Sequence, residues 1–198
     1  MKAILRDIAD IVSGYPFRGS ISESCASDIV VVQPKNVSSE YGIDYKNCLR
    51  TELPGKKSPD FLDSTDVIIN ARSEPFHSAN VGNGFEIIKV KAVSSPYFFV
   101  IKLKVKDILP EYLSWYINQY PVQTYFQKNS EGSMHKSLRR EILENCPIAY
   151  PELEKQSQII ALSENFKQQR VIYETLIQQS KLLEKQIAKN LDDSQILI

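Results

Sequence analysis

The sequence lacks an excess of charge of either sign. Lys and Arg together number 24, Asp and Glu together also number 24, and the formal net charge at pH 7 is zero. A protein without a net positive field does not attract polyanions over its whole surface. Any binding to DNA must therefore depend on a local group of cations or on charge that a partner supplies.

Cysteine and histidine are scarce. The three cysteines, Cys25, Cys48 and Cys146, are odd in number and far apart, which excludes paired zinc-ligand spacing and indicates buried or free thiols in a reducing compartment. The two histidines, His77 and His135, each stand alone in a polar stretch. We therefore predict no metal site and no cofactor bound by the chain itself.

Long apolar runs are missing as well. Charged residues interrupt the first apolar segment at Lys2, Arg6, Asp7 and Asp10, and no later stretch approaches membrane-spanning length. We expect a cytoplasmic protein.

The motifs of several enzyme classes are absent. The sequence has no Gly-rich cofactor loop, no Asn/Asp-Pro-Pro-aromatic motif of a DNA methyltransferase, no Walker loop and no His-Glu-x-x-His. Glu86 and Lys89 resemble the acid-x-Lys pair of Mg²⁺-dependent nucleases, but their spacing places the two side chains on opposite faces of a strand. We predict that the chain is not an enzyme.

The first half of the chain has the pattern of a sheet. Ile4, Leu5, Ile8, Ile11 and Val12 recur at helical spacing and predict a short opening helix that ends at Gly14 to Pro16. β-branched and aromatic runs then follow between turn residues, and they predict strands at 28–33, 66–71, 85–90 and 97–105. In the last run, Lys102, Lys104 and Lys106 alternate with aliphatics, so the lysines share one face, which either lines phosphates or is an ordinary solvated face.

Short helices and a hinge are predicted next. Pro110 occupies a first-turn position of a core helix with an aromatic and aliphatic face. A polar loop over 128–137, a short helix over 138–145 and an extended segment over 146–151, which carries two prolines, complete this part. The extended segment is interpreted as a hinge between a body and a tail.

The C-terminal tail predicts one long helix. Beyond Glu152 the sequence has no Gly or Pro, and strong helix formers continue to about Leu191. Alternating steps of three and four residues define a mostly apolar seam: Ile159, Leu162, Phe166, Gln169, Tyr173, Leu176, Ser180, Leu183, Ile187 and Asn190. The seam favours a coiled coil with a second chain, and the alternative is a helix folded back on its own body.

The predicted fold class is therefore mixed α+β. A sheet-rich domain over residues 1–150 is followed by a long C-terminal α-helix over residues 151–198 that forms a coiled coil.

Six segments together resemble a target-recognition half of the specificity subunits of type I restriction-modification enzymes. They occur in that family's order over nearly the whole chain: Leu5-x-Asp7-Ile8-Ala9-x-Ile11-x-x-Gly14-Tyr15-Pro16-Phe17-Arg18, Gln33-Pro34-Lys35-Asn36-Val37, Leu62-x-x-x-Asp66-Val67-Ile68-Ile69-x-x-Arg72, Pro110-Glu111-Tyr112-Leu113, Gly132-Ser133, and Pro147-Ile148-x-x-Pro151-x-Leu153-x-x-Gln156-x-x-Ile159. Two details depart from the family pattern, since Thr65 stands at a usual Gly and Lys155 interrupts a usual Glu-Gln pair. A complete subunit resembles two such halves in tandem, so this chain resembles a half-length form with a single recognition domain.

The resemblance implies a function and partners. It implies that residues 1–150 read double-stranded DNA, and that residues 151–198 dimerise, set the spacing and dock an adenine methyltransferase, which carries S-adenosylmethionine. A restriction subunit is a further possible partner. Two copies of one chain related by a twofold axis predict a bipartite site with inverted-repeat halves.

Candidate DNA contacts are polar and basic side chains in loops, because groove contacts require side chains that are free to enter the groove. Arg18 and Arg72 are expected to contact guanine, Asn80 to contact adenine, and the lysines and serines to hold phosphate. For each residue the alternative is an ordinary solvated loop side chain. The full set is Arg18, Ser20, Lys35, Asn36, Arg72, Ser73, His77, Asn80, Lys128, Ser130, Ser133, His135, Lys136 and Ser137. Asp66 is expected to order its turn, and Phe17 and Phe76 are expected to pack.

A second function stays open at this point. An interaction protein or inhibitor with the same fold would sequester methyltransferase or specificity subunits through its helix and would not read DNA. Protection of DNA in the presence of the methyltransferase distinguishes the two.

Overall fold

A computed structural model describes residues 1–17, 19–54, 59–72, 74–82, 84, 91–130 and 136–195. The chain divides into two compact units, Met1–Ser157 and Gln158–Ile198. The first unit contains all the sheets, and the second consists of most of one long helix. The mixed α+β class predicted from the sequence is confirmed.

The N-terminus differs from the predicted opening helix. It forms a strand β1 (Lys2–Ile4), a single helical turn α1 (Leu5–Ile8) and a second strand β2 (Ala9–Ser13). In β2, Ala9 and Ile11 are buried while Asp10 and Ser13 are exposed, which is the alternation of a strand. Because β2 pairs with a strand about 90 residues later in the chain, tertiary pairing overrides the local helical spacing.

The larger sheet contains β2 and three further strands, β7 (Val67–Asn70), β8 (Ser78–Asn80) and β10 (Phe98–Leu103). The four strands are antiparallel and lie in the order β2-β10-β7-β8. All four residues of β7 are buried, as expected of a central strand made of β-branched residues. The predictions of strands at 66–71 and 97–105 are confirmed, whereas the strand predicted at 85–90 lies outside the described residues.

A three-stranded sheet consists of β3 (Ile29–Val32), β6 (Leu49–Arg50) and β9 (Lys91–Ser94). Its order is β6-β3-β9, and β3 and β9 are parallel. A short hairpin of β4 (Val37–Ser38) and β5 (Gly42–Ile43) lies between β3 and β6 in the chain. Buried side chains from both sheets and from the segments between their strands form one hydrophobic cluster: Val30, Val32, Ile43, Tyr45, Leu62, Ile68, Ala79, Val81, Ala92, Phe98 and Val100.

The Gly14-Tyr15 step explains part of the opening motif. The Gly14 N–H donates to the Phe98 carbonyl at 3.0 Å, and the Tyr15 N–H donates to the Ser94 carbonyl at 2.8 Å. A Cβ atom at Gly14 would lie 2.0 Å from the Ser95 carbonyl oxygen. Only glycine therefore allows β2 to approach the turn between β9 and β10 this closely.

Four further helices lie within the described residues: α2 (Pro110–Ile117), α3 (Tyr120–Asn129), α4 (Arg140–Glu144) and α5 (Leu153–Gln195). The predicted helices at 110 and 138–145 and the long tail helix are confirmed. Helix α3 is not anticipated by the sequence pattern, and it includes the first two residues of the predicted loop at 128–137. None of the helices within the described ranges has an apolar stretch that could cross a membrane.

The segment interpreted as a hinge is a strand of the first unit. Residues Pro147–Ala149 form β11, which pairs antiparallel with β1. The Met1 ammonium donates to the Tyr150 carbonyl at 2.7 Å, and the Tyr150 N–H donates back to Met1. The extended conformation is thus confirmed, and its cause is pairing with the first residues of the chain.

The three cysteines are free thiols. Burial raises the pKa of Cys48 and of Cys146 to about 12, so both thiols stay protonated at neutral pH. Cys25 is exposed, Cys48 is half-buried and Cys146 is buried, which agrees with the expectation of buried or free thiols.

Candidate nucleic-acid interface

The backbone before Arg72 is fixed by three hydrogen bonds. The Ala71 N–H donates to the Tyr97 carbonyl at 2.8 Å, the Leu138 N–H donates to the Ala71 carbonyl at 2.8 Å, and the Arg72 N–H donates to Asn70 Oδ1 at 3.1 Å. Arg72 itself is exposed, and among the described residues its guanidinium has no hydrogen-bond or ion-pair partner. The structure therefore presents an available arginine fork on a rigid support.

The chain returns to the core directly after this segment. Phe76 is fully buried, and its ring meets Phe126 edge-on with centroids 5.9 Å apart. Gln123 Nε2 donates to the Phe76 carbonyl at 3.1 Å, and the Asn70 N–H donates to the His77 carbonyl at 2.9 Å. The packing role predicted for Phe76 is confirmed, and both ends of the loop are anchored.

An ion pair joins this loop to the segment after α3. The Lys136 ammonium lies 3.1 Å from the Glu74 carboxylate and also donates to the Gln127 carbonyl at 3.4 Å. Lys128, the next residue after Gln127, is exposed in the last turn of α3, where a cation also favours the helix C-terminus. We call Arg72, Glu74, Lys128 and Lys136 the Arg72 cluster.

The remaining described candidates of this region differ in exposure. Ser137 is half-buried beside Lys136, and Ser130 follows the end of α3. His77 is half-buried, and this burial lowers the pKa of its imidazole below the ordinary value. At neutral pH His77 is therefore an uncharged group and adds no cation to the Arg72 cluster.

Two of the residues predicted to contact DNA are buried and hydrogen-bonded within the protein. Asn36 is 4% exposed, its Oδ1 accepts from the Gln33 N–H at 3.1 Å, and its Nδ2 donates to the Asn47 carbonyl at 2.9 Å. Asn80 is also 4% exposed, lies within β8 and accepts from the Gly82 N–H. A buried amide cannot reach a base edge, so the placement of both asparagines as groove-facing side chains is corrected to structural roles.

Other predicted contacts are exposed or not described. Lys35, on a 3₁₀ turn over Pro34–Asn36, and Ser20 are exposed. Arg18, Ser73, Ser133 and His135 lie outside the described residues, as do the Gly132 motif and half of its predicted loop.

The lysine face of β10 is neutralised by acidic partners. Lys102 lies 3.2 Å from Asp60 and 3.3 Å from Asp66, and Lys104 lies 3.3 Å from Asp10. Burial raises the pKa of Asp66, whose Oδ2 accepts from the Asp63 N–H at 2.9 Å. Asp66 orders its turn as expected, and Lys102 and Lys104 balance carboxylates in place of lining phosphates.

The apolar seam predicted from Ile159 to Asn190 lies along α5, and we call it the α5 seam. It is solvent-exposed in the single chain apart from its first residue. Ile159 is half-buried, whereas Leu162, Phe166, Tyr173, Leu176, Leu183 and Ile187 are exposed, most of them by more than half. Ile172 and Ile177 are exposed too and directly flank the seam, so they widen it near its middle. Both isoleucines occupy heptad positions next to the seam, and the seam pattern predicted from the sequence does not include them.

No arrangement in the described part of the chain suggests catalysis. The residues that the structure describes contain no group of three or more His, Cys, Asp or Glu side chains suited to a metal ion. What the Arg72 cluster offers is recognition chemistry, namely an exposed bidentate donor on a fixed backbone, two residues before a carboxylate that pairs with a lysine. Glu74 was missed in the sequence, because its partner Lys136 is 62 residues away.

The sequence matches a family model described as the type I restriction modification DNA specificity domain over residues 4–191. A search of curated proteins found no match.

Three solved structures have a similar fold. The HsdS subunit from Thermoanaerobacter tengcongensis has a TM-score of 0.55 at 16% identity, covering 85% of this chain and 37% of that chain. A structure described as showing the structural basis of complex assembly and conformational transition of the type I R-M system has a TM-score of 0.57 at 16% identity. The match covers 92% of this chain and 43% of that chain. The type I restriction-modification S subunit from M. genitalium has a TM-score of 0.52 at 9% identity, covering 85% and 39%. This chain thus spans 37–43% of the length of the chains it matches.

Proposed function

The chain belongs to the family of type I restriction modification DNA specificity domains, and from this membership we propose that it recognises a specific DNA sequence and directs a partner adenine methyltransferase to it. The chain itself carries out no reaction in this proposal. S-adenosylmethionine and the catalytic residues belong to the methyltransferase.

The exposed Arg72 on its fixed backbone is the observation that carries the proposal. An arginine fork donates two hydrogen bonds to O6 and N7 of guanine in the major groove, and such a pair discriminates against the wrong base by about 1–3 kcal/mol. Discrimination of this kind requires a rigid backbone, so that the arginine does not shift to fit the wrong base. The hydrogen bonds of Ala71 with Tyr97 and Leu138 give that support.

Phosphate contacts come from exposed cations and hydroxyls near the reading loops. Lys128 and Lys35 supply charge, and Ser20 and Ser137 supply hydrogen bonds. Because the net charge of the chain is zero, these few cations neutralise only a few phosphates. The partner methyltransferase supplies the remaining positive charge.

The α5 seam pairs two copies of the chain. A heptad seam of exposed Leu, Ile, Phe and Tyr side chains is stabilised by a second helix, and its polar positions Gln169, Ser180 and Asn190 fix the register. Two copies related by a twofold axis present the same reading surface twice, and the site then consists of two inverted half-sites. Helix α5 has 43 residues, roughly 65 Å at 1.5 Å per residue, and its length sets the spacing between half-sites.

Selection from a random-sequence duplex library tests this function. The purified chain is incubated with the library in the presence of a type I modification methyltransferase encoded in the same genome, and bound duplexes are sequenced. We expect enrichment of one bipartite motif, lost in Arg72→Ala and retained in Lys106→Ala. Lys106 is a matched control because it is exposed and its loss removes the same charge.

Two results contradict the proposal. The first is recovery of duplexes without any shared motif. The second is a stable complex with the methyltransferase that protects no DNA, which supports the sequestering function instead.

A further inference from the structure

The Glu74–Lys136 pair joins a carboxylate two residues after Arg72 to a lysine two residues before Leu138. The two charged atoms are 3.1 Å apart, and the side chains of Lys136 and Glu74 are only 31% and 29% exposed. Because about two-thirds of each side chain is covered, salt screens this pair less than it screens a fully open pair. The Lys136 ammonium therefore already has a strong acceptor before DNA arrives.

A lysine held in this way is a poor contact for phosphate. To bind a phosphate, the Lys136 ammonium must either leave Glu74 or contact both anions at once. In the second case the Glu74 carboxylate lies close to the phosphate and repels it. Binding to non-cognate DNA depends almost entirely on phosphate contacts. The ion pair consequently leaves one cation fewer for phosphate contacts, which carry no sequence information.

The same pair also stabilises the loop that holds Arg72. Glu74 lies two residues after Arg72, and Lys136 lies two residues before Leu138, whose N–H binds the Ala71 carbonyl. The ion pair and this backbone bond thus join the same two segments. A contact between Arg72 and a base depends on that geometry, whereas a phosphate contact by a flexible lysine does not.

We propose that Glu74 is a specificity-determining residue, which holds Lys136 away from phosphate on non-cognate DNA and positions the loop that carries Arg72. This proposal rests on the proposed function, because it concerns the selectivity of the same surface. Removal of the carboxylate increases the affinity for random DNA and does not increase the affinity for the cognate site equally.

Three variants of the full chain test the proposal in the presence of the same methyltransferase as in the selection. Fluorescence anisotropy titrations are made on the selected motif and on a scrambled duplex over a range of salt concentrations. For Glu74→Gln we expect roughly three- to tenfold tighter binding to the scrambled duplex, a salt slope steeper by about one counterion and a smaller ratio of cognate to scrambled affinity. The charge-swapped variant, Glu74→Lys with Lys136→Glu, restores an ion pair between the same two positions. We expect it to recover the wild-type ratio of cognate to scrambled affinity. Circular dichroism verifies that each variant is folded.

Asp10→Asn is the matched control. It also removes one carboxylate from an ion pair, with Lys104 at 3.3 Å. Lys104 and Tyr97 flank opposite ends of β10, roughly 20 Å apart at 3.3 Å per residue, so this change leaves the Arg72 cluster intact. A Glu74→Gln variant that behaves like Asp10→Asn, or a charge swap that fails to recover selectivity, overturns the proposal. A wild-type chain without any preference for the selected motif contradicts the proposed function itself.

Discussion

Gln156 and Leu109 are joined by a hydrogen bond between the first turn of α5 and a backbone amide 47 residues earlier: the Gln156 Oε1 atom accepts from the Leu109 N–H at 2.9 Å. The Gln156 Nε2 atom donates to the carbonyls of Asp107 and Pro151, each at 2.8 Å. The side chain is fully buried, so it satisfies three backbone groups that water does not reach. This arrangement explains a glutamine in the closing motif of the sequence.

Replacing Gln156 with Ala is expected to lower the free energy of unfolding by about 1–3 kcal/mol, because the Leu109 N–H and two carbonyls lose their partner inside the protein. Urea denaturation followed by circular dichroism measures the change. Gln158→Ala is the control, since Gln158 is exposed on the same helix, and its effect should stay within about 0.5 kcal/mol. Equal effects of the two substitutions contradict the structural role of Gln156.

His77 gives the stability of the protein a pH dependence. Burial lowers the pKa of its imidazole in the folded state, whereas the unfolded chain has an ordinary value of about 6.5. As the pH falls below about 6.5, the unfolded chain takes up a proton that the folded chain resists, and stability decreases. The contribution is fully present above that pH and is lost as the pH falls through the folded-state pKa.

Urea denaturation of wild type and His77→Gln between pH 5 and pH 8 measures this effect. We expect the difference in unfolding free energy between the two proteins to change with pH below about 6.5 and to stay constant above it. Parallel curves over the whole range contradict the burial of a neutral imidazole at this position.

The sequence predicted the elements that depend on local patterns. The buried run of β7, the proline-initiated α2 and the long α5 each carry their signal within a few turns of chain. The elements formed by distant partners were not predictable in the same way. Residues 2–13 have helical spacing, yet β1 pairs with β11 and β2 pairs with β10.

In the candidate site, too, the features that depend on local patterns were predictable and those that depend on distant partners were not. The exposure of Arg72 after β7 was predicted from the strand and its polar continuation. Asn80 looked equally suitable as a polar residue in a loop, but a tertiary contact places it in a buried strand. The partner of Glu74 lies on a distant segment, and sequence spacing carries no information about such a pair.

The α5 seam is expected to hold two chains together. Replacing Leu176 and Leu183 with Asp places charges within the seam, and we expect a monomer where the wild type is a dimer. Light scattering at micromolar concentration measures the mass. Val171→Asp is the control, since Val171 is exposed on the opposite face of the heptad. A wild-type monomer, or a dimer that survives both seam substitutions, contradicts the paired helix.

Arg72 is expected to contribute to base recognition and not to general affinity. Arg72→Ala should weaken binding to the selected motif by about 1–3 kcal/mol and change binding to scrambled DNA little. Arg72→Lys keeps the charge and loses the fork, so it should show a similar loss on the motif. Competition binding at fixed salt measures both. Equal losses on both duplexes for Arg72→Ala remove this residue from the base-reading set.

Helix length and half-site spacing should change together. Deletion of one heptad, Thr175 to Lys181, shortens α5 by roughly 10 Å and preserves the seam register. Both half-sites should keep their bases while the preferred spacing becomes shorter.

Methylome sequencing of cells that carry this gene and its methyltransferase tests the central claim most directly. The account predicts methylated adenines within one two-part motif that has inverted-repeat halves, disappears when the gene is deleted and becomes shorter in its spacer in the heptad deletion. Adenine methylation that is unchanged after deletion of the gene, or that marks one continuous motif, would contradict it.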